Sequence, residues 1–213
     1  MTGLADFFDA GGPGMYPILL WQMIAVGIIL ERGIFLYRSS INADVFVGTL
    51  QKCLLAGDLG RAIKVCSAAN VPLANIVKAG LMKANRSDDQ VQSAMDEAAL
   101  REIPKLEKRT AYLGLMANMA MLSGLLGTVH GLILAFSGVA GADAASKSTI
   151  LAAGISEAMA CTAFGLFASI LALLGFGILN GRTQNMLDDI HSASVTVVNL
   201  VVDNRTQMKL SAA

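Results

Sequence analysis

Apolar residues fill three long stretches of this chain. A helix needs about 20 such residues in succession to cross the hydrocarbon of a bilayer. The first stretch, residues 15–37, is uncharged from Met15 through Leu30. It carries Tyr16 and Trp21 towards one end and Tyr37 at the other, as expected of interfacial anchors. The second, residues 111–139, has Tyr112 and His130 as its only titratable groups, and the third, residues 150–180, has Glu157 as its only formal charge. The pattern predicts three transmembrane helices. They separate an N-terminal segment (1–14), a long polar loop (38–110), a short turn (140–149) and a C-terminal tail (181–213).

The polar parts read as helical. Ser87-Asp88-Asp89-Gln90 has the spacing of a capping box. A helix is expected to run from there through Glu97 and Glu107 straight into the second span, kinked at Pro104. Pro72 suits a first helical turn, and Gly57 and Gly60 break the pattern before it. The tail keeps apolar residues at Met186, Leu187, Ile190 and Val195 to Val202, which suits a helix packed on partner helices. No internal repeat or low-complexity tract is present.

Composition agrees with the membrane. The chain is 54% hydrophobic and only 15% charged, with mean hydropathy +0.59, whereas a soluble surface needs roughly a quarter charged residues. Its 16 basic and 16 acidic residues cancel, so no basic excess points to nucleic acid. Cys53, Cys66 and Cys161 have neither paired spacing nor a histidine cluster, which predicts no metal site and no disulfide framework. The N-terminal segment has no Lys or Arg, so it is not read as a cleavable signal. Eleven basic residues lie between Arg38 and Arg109, and none before the first span. The positive-inside bias therefore puts the loop and tail in the cytoplasm, with the N-terminus and the 140–149 turn outside. The fold class expected is an all-α membrane protein, three transmembrane helices with long cytoplasmic helical extensions.

Candidate chemistry lies on the second and third spans. Gly154, Ala158, Thr162, Gly165 and Ser169 recur at helical spacing and form a small or hydroxylated stripe. Ile155, Met159, Leu166, Ile170 and Leu173 form a lipid-suited face. Ala117, Gly124, Gly127, Gly131 and Ala135 form a comparable stripe on the second span, beside Thr128. Small residues let helices approach closely in lipid, so tight packing is one reading of both. Counting along antiparallel helices puts Thr128 and Thr162 at one depth, about 15–18 Å from the outer end, with Glu157 about 10 Å in. An intramembrane carboxylate is costly and is a functional candidate; it can also be tied structurally to polar neighbours near the interface. His130 reads either as a proton relay or as a packed neutral histidine.

At these residues the chain resembles the TolQ/ExbB/MotA proton-channel family, and its TolQ/ExbB branch in particular. The carrying segments are Leu125-Leu126-Gly127-Thr128-Val129-His130-Gly131 and the run from Gly154-Ile155-Ser156-Glu157 through Cys161-Thr162-Ala163 to Leu166, with Leu106-Glu107-Lys108-Arg109 ahead of the second span. The resemblance implies a homopentamer in the bacterial inner membrane around a single-span partner of the TolR/ExbD/MotB type. That partner brings a transmembrane aspartate, and the assembly turns the proton motive force into envelope transport, envelope maintenance or gliding motility. It further implies that Thr128 and Thr162 face that aspartate and that Glu157 is the family's third-span glutamate. His130 stands where many relatives carry a large aromatic residue, so a proton role is not inherited there. No cofactor and no enzymatic activity are implied. Two other classes compete. One is a passive scaffold or self-sufficient channel; the other is an intramembrane serine protease using Ser156 and His130, for which three spans offer little scaffold.

Overall fold

The computed structural model describes Phe8 and residues 11–210, with side chains through Asp203. Every regular element among these residues is helical. A 3-10 turn at Gly12–Gly14 leads into α1 (Met15–Ser39), followed by α2 (Ala43–Leu55), α3 (Leu59–Ala69), α4 (Pro72–Leu81), α5 (Asp88–Glu107), α6 (Thr110–Ala140) and α7 (Lys147–Leu210). Among the described residues three segments are long and apolar enough to cross a membrane, one each in Gly12–Leu55, Asp88–Ala140 and Lys147–Asp203. The chain is an all-α membrane protein.

The helices form two compact units. The first comprises the chain up to Arg32 together with Arg109–Leu179. In it α6 and the first half of α7 pack along their small-residue stripes. A β-carbon on Gly165 would lie 2.9 Å from the Gly124 Cα, and one on Gly131 would lie 3.1 Å from the Ala158 Cβ. One on Gly154 would run into Ala135. Only residues without side-chain bulk permit this approach. The opposite face of α7, with Ile155, Met159, Leu166, Ile170 and Leu173, is exposed. α1 lies against the hairpin. Ile18 packs with Ala120 and Ala168, Met15 with Ala160 and Cys161, and Phe164 joins both clusters.

The second unit comprises Gly33–Lys108 and the chain from Asn180 onward. Its helices start where the local chemistry dictates. Asn42 accepts from the Val45 amide at 3.2 Å and Asp58 from the Arg61 amide at 2.8 Å, capping α2 and α3. Gly57, at φ +73°, makes the turn between them, whereas Gly60 lies inside α3. Pro72 opens α4, where its missing N–H costs nothing. Ser87 precedes α5, but its side chain makes no capping bond. Ile76, Val77 and Leu81 of α4 and Val91 and Met95 of α5 are buried in this unit, as are Leu187, Ile190, Val197 and Val201 of α7.

One helix boundary differs from the expectation. α5 does not run into the second span: it ends at Glu107, and Arg109 adopts φ +67°. Pro104 stays inside α5, whose last turn closes through the Lys108 amide and the Pro104 carbonyl at 3.0 Å. The break lies five residues past the proline because the left-handed residue ends the ladder outright. Conversely, α7 continues from the third apolar stretch into the tail without interruption. No proline or left-handed residue stands there to stop it.

Candidate functional site

The site is assembled on α6 and α7 beside a stretch where their backbones run close together. Gly124 supplies the gap: a β-carbon there would lie 3.1 Å from both the Cys161 carbonyl and the Gly165 Cα. One turn further along, the Thr128 and Thr162 hydroxyls meet in a hydrogen bond, although the residues are 34 positions apart. Thr128 also donates to the Gly124 carbonyl at 3.0 Å, and Thr162 lies 3.4 Å from that oxygen and 3.5 Å from the Ala158 carbonyl. Both residues are half-buried. When Thr128 donates to Gly124 and Thr162 donates to Thr128, the Thr162 oxygen keeps lone pairs open to a water or a protonated carboxyl group. Turning one hydroxyl outward offers a donor to a carboxylate instead.

Glu157 does not join this pair. It lies on the α7 face shared with Cys161, one helical turn on, and that face meets the Gly11–Gly14 turn. The Cys161 thiol donates to the Gly11 carbonyl at 2.9 Å. A β-carbon at Gly12 would occupy the position of the Glu157 carboxylate, and one at Gly14 would lie 2.9 Å from the Cys161 sulfur and 3.4 Å from the Gly127 Cα. Gly12 has φ +60°, a backbone state open chiefly to glycine. His130 is exposed and lines a cleft of about 310 Å³ with Pro13, Gly14, Pro17, Ser123, Leu126 and Gly127. Ser156 is not among the residues lining that cleft.

Of the residues singled out from the sequence, Gly124, Gly127, Gly131, Gly154, Ala158 and Gly165 thus all touch the facing helix or the N-terminal turn. Three contacts were not visible there. The Trp21 indole donates to the Ser123 hydroxyl at 3.1 Å, which holds this ring against α6; Tyr16 and Tyr37 stay exposed. Arg109 reaches both Glu31 oxygens, at 2.6 and 2.8 Å, from its left-handed position. The Gly-Gly-Pro-Gly turn lies beside Glu157. Its glycine density was the one signal available, and it says nothing about what the turn touches. Among the described residues no cluster of His, Cys, Asp and Glu is arranged to hold a metal ion.

Comparison with known proteins converges on the same segments. Residues 68–192 match the model of the MotA/TolQ/ExbB proton channel family, a stretch that takes in α5, α6 and the site on α7. The ExbB-like 1 biopolymer transport protein of Synechocystis sp. is 31% identical over 87% of this chain and 74% of its own length. The Tol-Pal system protein TolQ of Haemophilus influenzae is 40% identical over 45% of this chain and 42% of its own length. The biopolymer transport protein ExbB of Neisseria meningitidis is 24% identical over 90% of this chain and 96% of its own length. With its three apolar helices and a family match across the site, the chain is a multi-pass inner-membrane protein that belongs to the MotA/TolQ/ExbB proton channel family.

Proposed function

We propose that this chain is the channel-forming subunit of a TolQ/ExbB-type energy-transducing complex. Five copies surround a single-span TolR/ExbD-like partner and turn proton flow into work on the cell envelope. The observation that carries this reading is the Thr128–Thr162 hydroxyl pair between two apolar helices. Hydroxyls buried in hydrocarbon are expensive unless they have partners. Here they form a unit that can serve a carboxyl group in either protonation state. An aspartate on the partner's span, protonated from one side and released to the other, is the group such a pair suits. The α2–α5 helices and the tail then lie in the cytoplasm, in keeping with eleven basic residues between Arg38 and Arg109.

The test is the Thr128→Val, Thr162→Val double variant, which keeps side-chain shape and deletes both hydroxyls. Losing a hydrogen bond to a buried polar group costs about 1–3 kcal/mol. If that loss falls on the conduction barrier, flux drops roughly 5- to 150-fold. Ion-driven work per assembled complex is the measurement, and wild-type output from the double variant overturns the reading.

A further inference from the structure

We infer that Gly12 is a positioning residue for Glu157. The inference rests on the ion-path reading above, takes Glu157 as a further member of that path, and extends it to a segment outside the two family signatures. Three observations meet at this point. The Glu157 carboxylate fills the space where any side chain at position 12 would begin. Gly12 holds a left-handed backbone, at φ +60°. The turn is pinned on either side of that contact, by the Cys161 thiol on the Gly11 carbonyl at 2.9 Å and by the approach of Gly14 to Gly127.

A glutamate side chain has three rotatable bonds, and a carboxylate that relays a proton must present its oxygens in a fixed direction. The missing side chain at Gly12 leaves room for the rotamer whose carboxylate lies against the turn, and backbone on that flank stops it from moving further. α1 begins immediately after, at Met15, so its seating on Ala160 and Cys161 sets the height of the turn against Glu157. Gly12 touches no ion in this account; it acts through Glu157.

The experiment measures proton flux into liposomes, per reconstituted complex of the full chain with the single-span protein that co-purifies with it. Gly12→Ala and Gly12→Asn are compared with wild type. Asparagine tolerates the left-handed backbone but, like alanine, brings a β-carbon into the carboxylate. Both variants are expected to lose flux about 5- to 20-fold. Adding Glu157→Asp, which withdraws the carboxylate by one methylene, should return at least about half of that loss on a logarithmic scale, as coupled neighbours do. Should either variant fail to assemble, restored assembly on adding Glu157→Asp supports the contact, and no restoration overturns it. Wild-type flux in Gly12→Asn with loss in Gly12→Ala would show that only backbone conformation matters, which also overturns the inference. Glu157→Gln separates the two readings. Wild-type flux in that variant removes Glu157 from the ion path. Loss there with normal flux in both Gly12 variants overturns the positioning role alone.

Discussion

A hydroxyl in hydrocarbon has few partners to choose from, and Thr128 and Thr162 find them in each other and in the Gly124 carbonyl. Thr→Ser at either position keeps the oxygen and should cost far less flux than Thr→Val, in the same assay of work per complex. A buried thiol in the other unit makes a separate point about single residues. Cys66, in α3, is fully buried, and burial pushes its thiol up from an ordinary 9 to about 11, with nearby Lys78 opposing weakly. The folded state therefore holds the proton over a pH range in which the unfolded chain releases it. The stabilisation is complete below pH 9 and is lost progressively as pH rises from about 9 to about 11. Thermal unfolding of the detergent-solubilised protein should show that fall, and Cys66→Ala should flatten it. An equal slope in both proteins would assign the fall to other groups.

At the scale of elements, the α6–α7 hairpin depends on backbone approach. Gly165→Ala places a methyl group 2.9 Å from the Gly124 Cα and 3.0 Å from the Ala120 carbonyl. Backbone cannot give way as a flexible side chain can, so the expected cost is about 1–3 kcal/mol. Gly114, with nothing within 4 Å of a built β-carbon, is the matched control on α6. There alanine should be neutral or slightly stabilising, by about 0.5–1 kcal/mol from helix propensity. Unfolding in mixed micelles, followed by Trp21 fluorescence, reads both. Equal stability of the two variants would mean that the hairpin tolerates separation at Gly165. The larger Gly165→Leu should disrupt the protomer itself before it affects any assembly of protomers, since the contact lies within one chain. The break between α5 and α6 is an element-scale feature of another kind. A non-glycine residue at φ +67° carries strain, and the Arg109–Glu31 pair helps to hold it in place.

For the whole molecule, the charge asymmetry leads to a topology that labelling can test. On a background lacking Cys53, Cys66 and Cys161, a cysteine placed within residues 140–149 should react with an impermeant thiol reagent added outside intact inner-membrane vesicles of native orientation. A cysteine near Lys83 should react only after permeabilisation. The reverse pattern would invert the proposed orientation and move α2–α5 to the other side of the membrane.

The three spans, the small-residue stripes and the start of α4 were legible in the amino-acid sequence because each depends on neighbours within a turn or two. Hydropathy over about 20 residues decides a span, and Pro72 suits the first turn of its own helix through its fixed φ and missing N–H. The meeting of Thr128 with Thr162 was accessible by counting rise per residue along two antiparallel helices. What Glu157 faces was not. That depends on where α1 sits along the hairpin, which is decided by packing between residues more than a hundred positions apart, such as Trp21 with Ser123 and Gly11 with Cys161. The helix break at Arg109 was hidden for the same reason: a left-handed arginine is unfavourable locally and persists where distant contacts, among them the pair with Glu31, outweigh its strain.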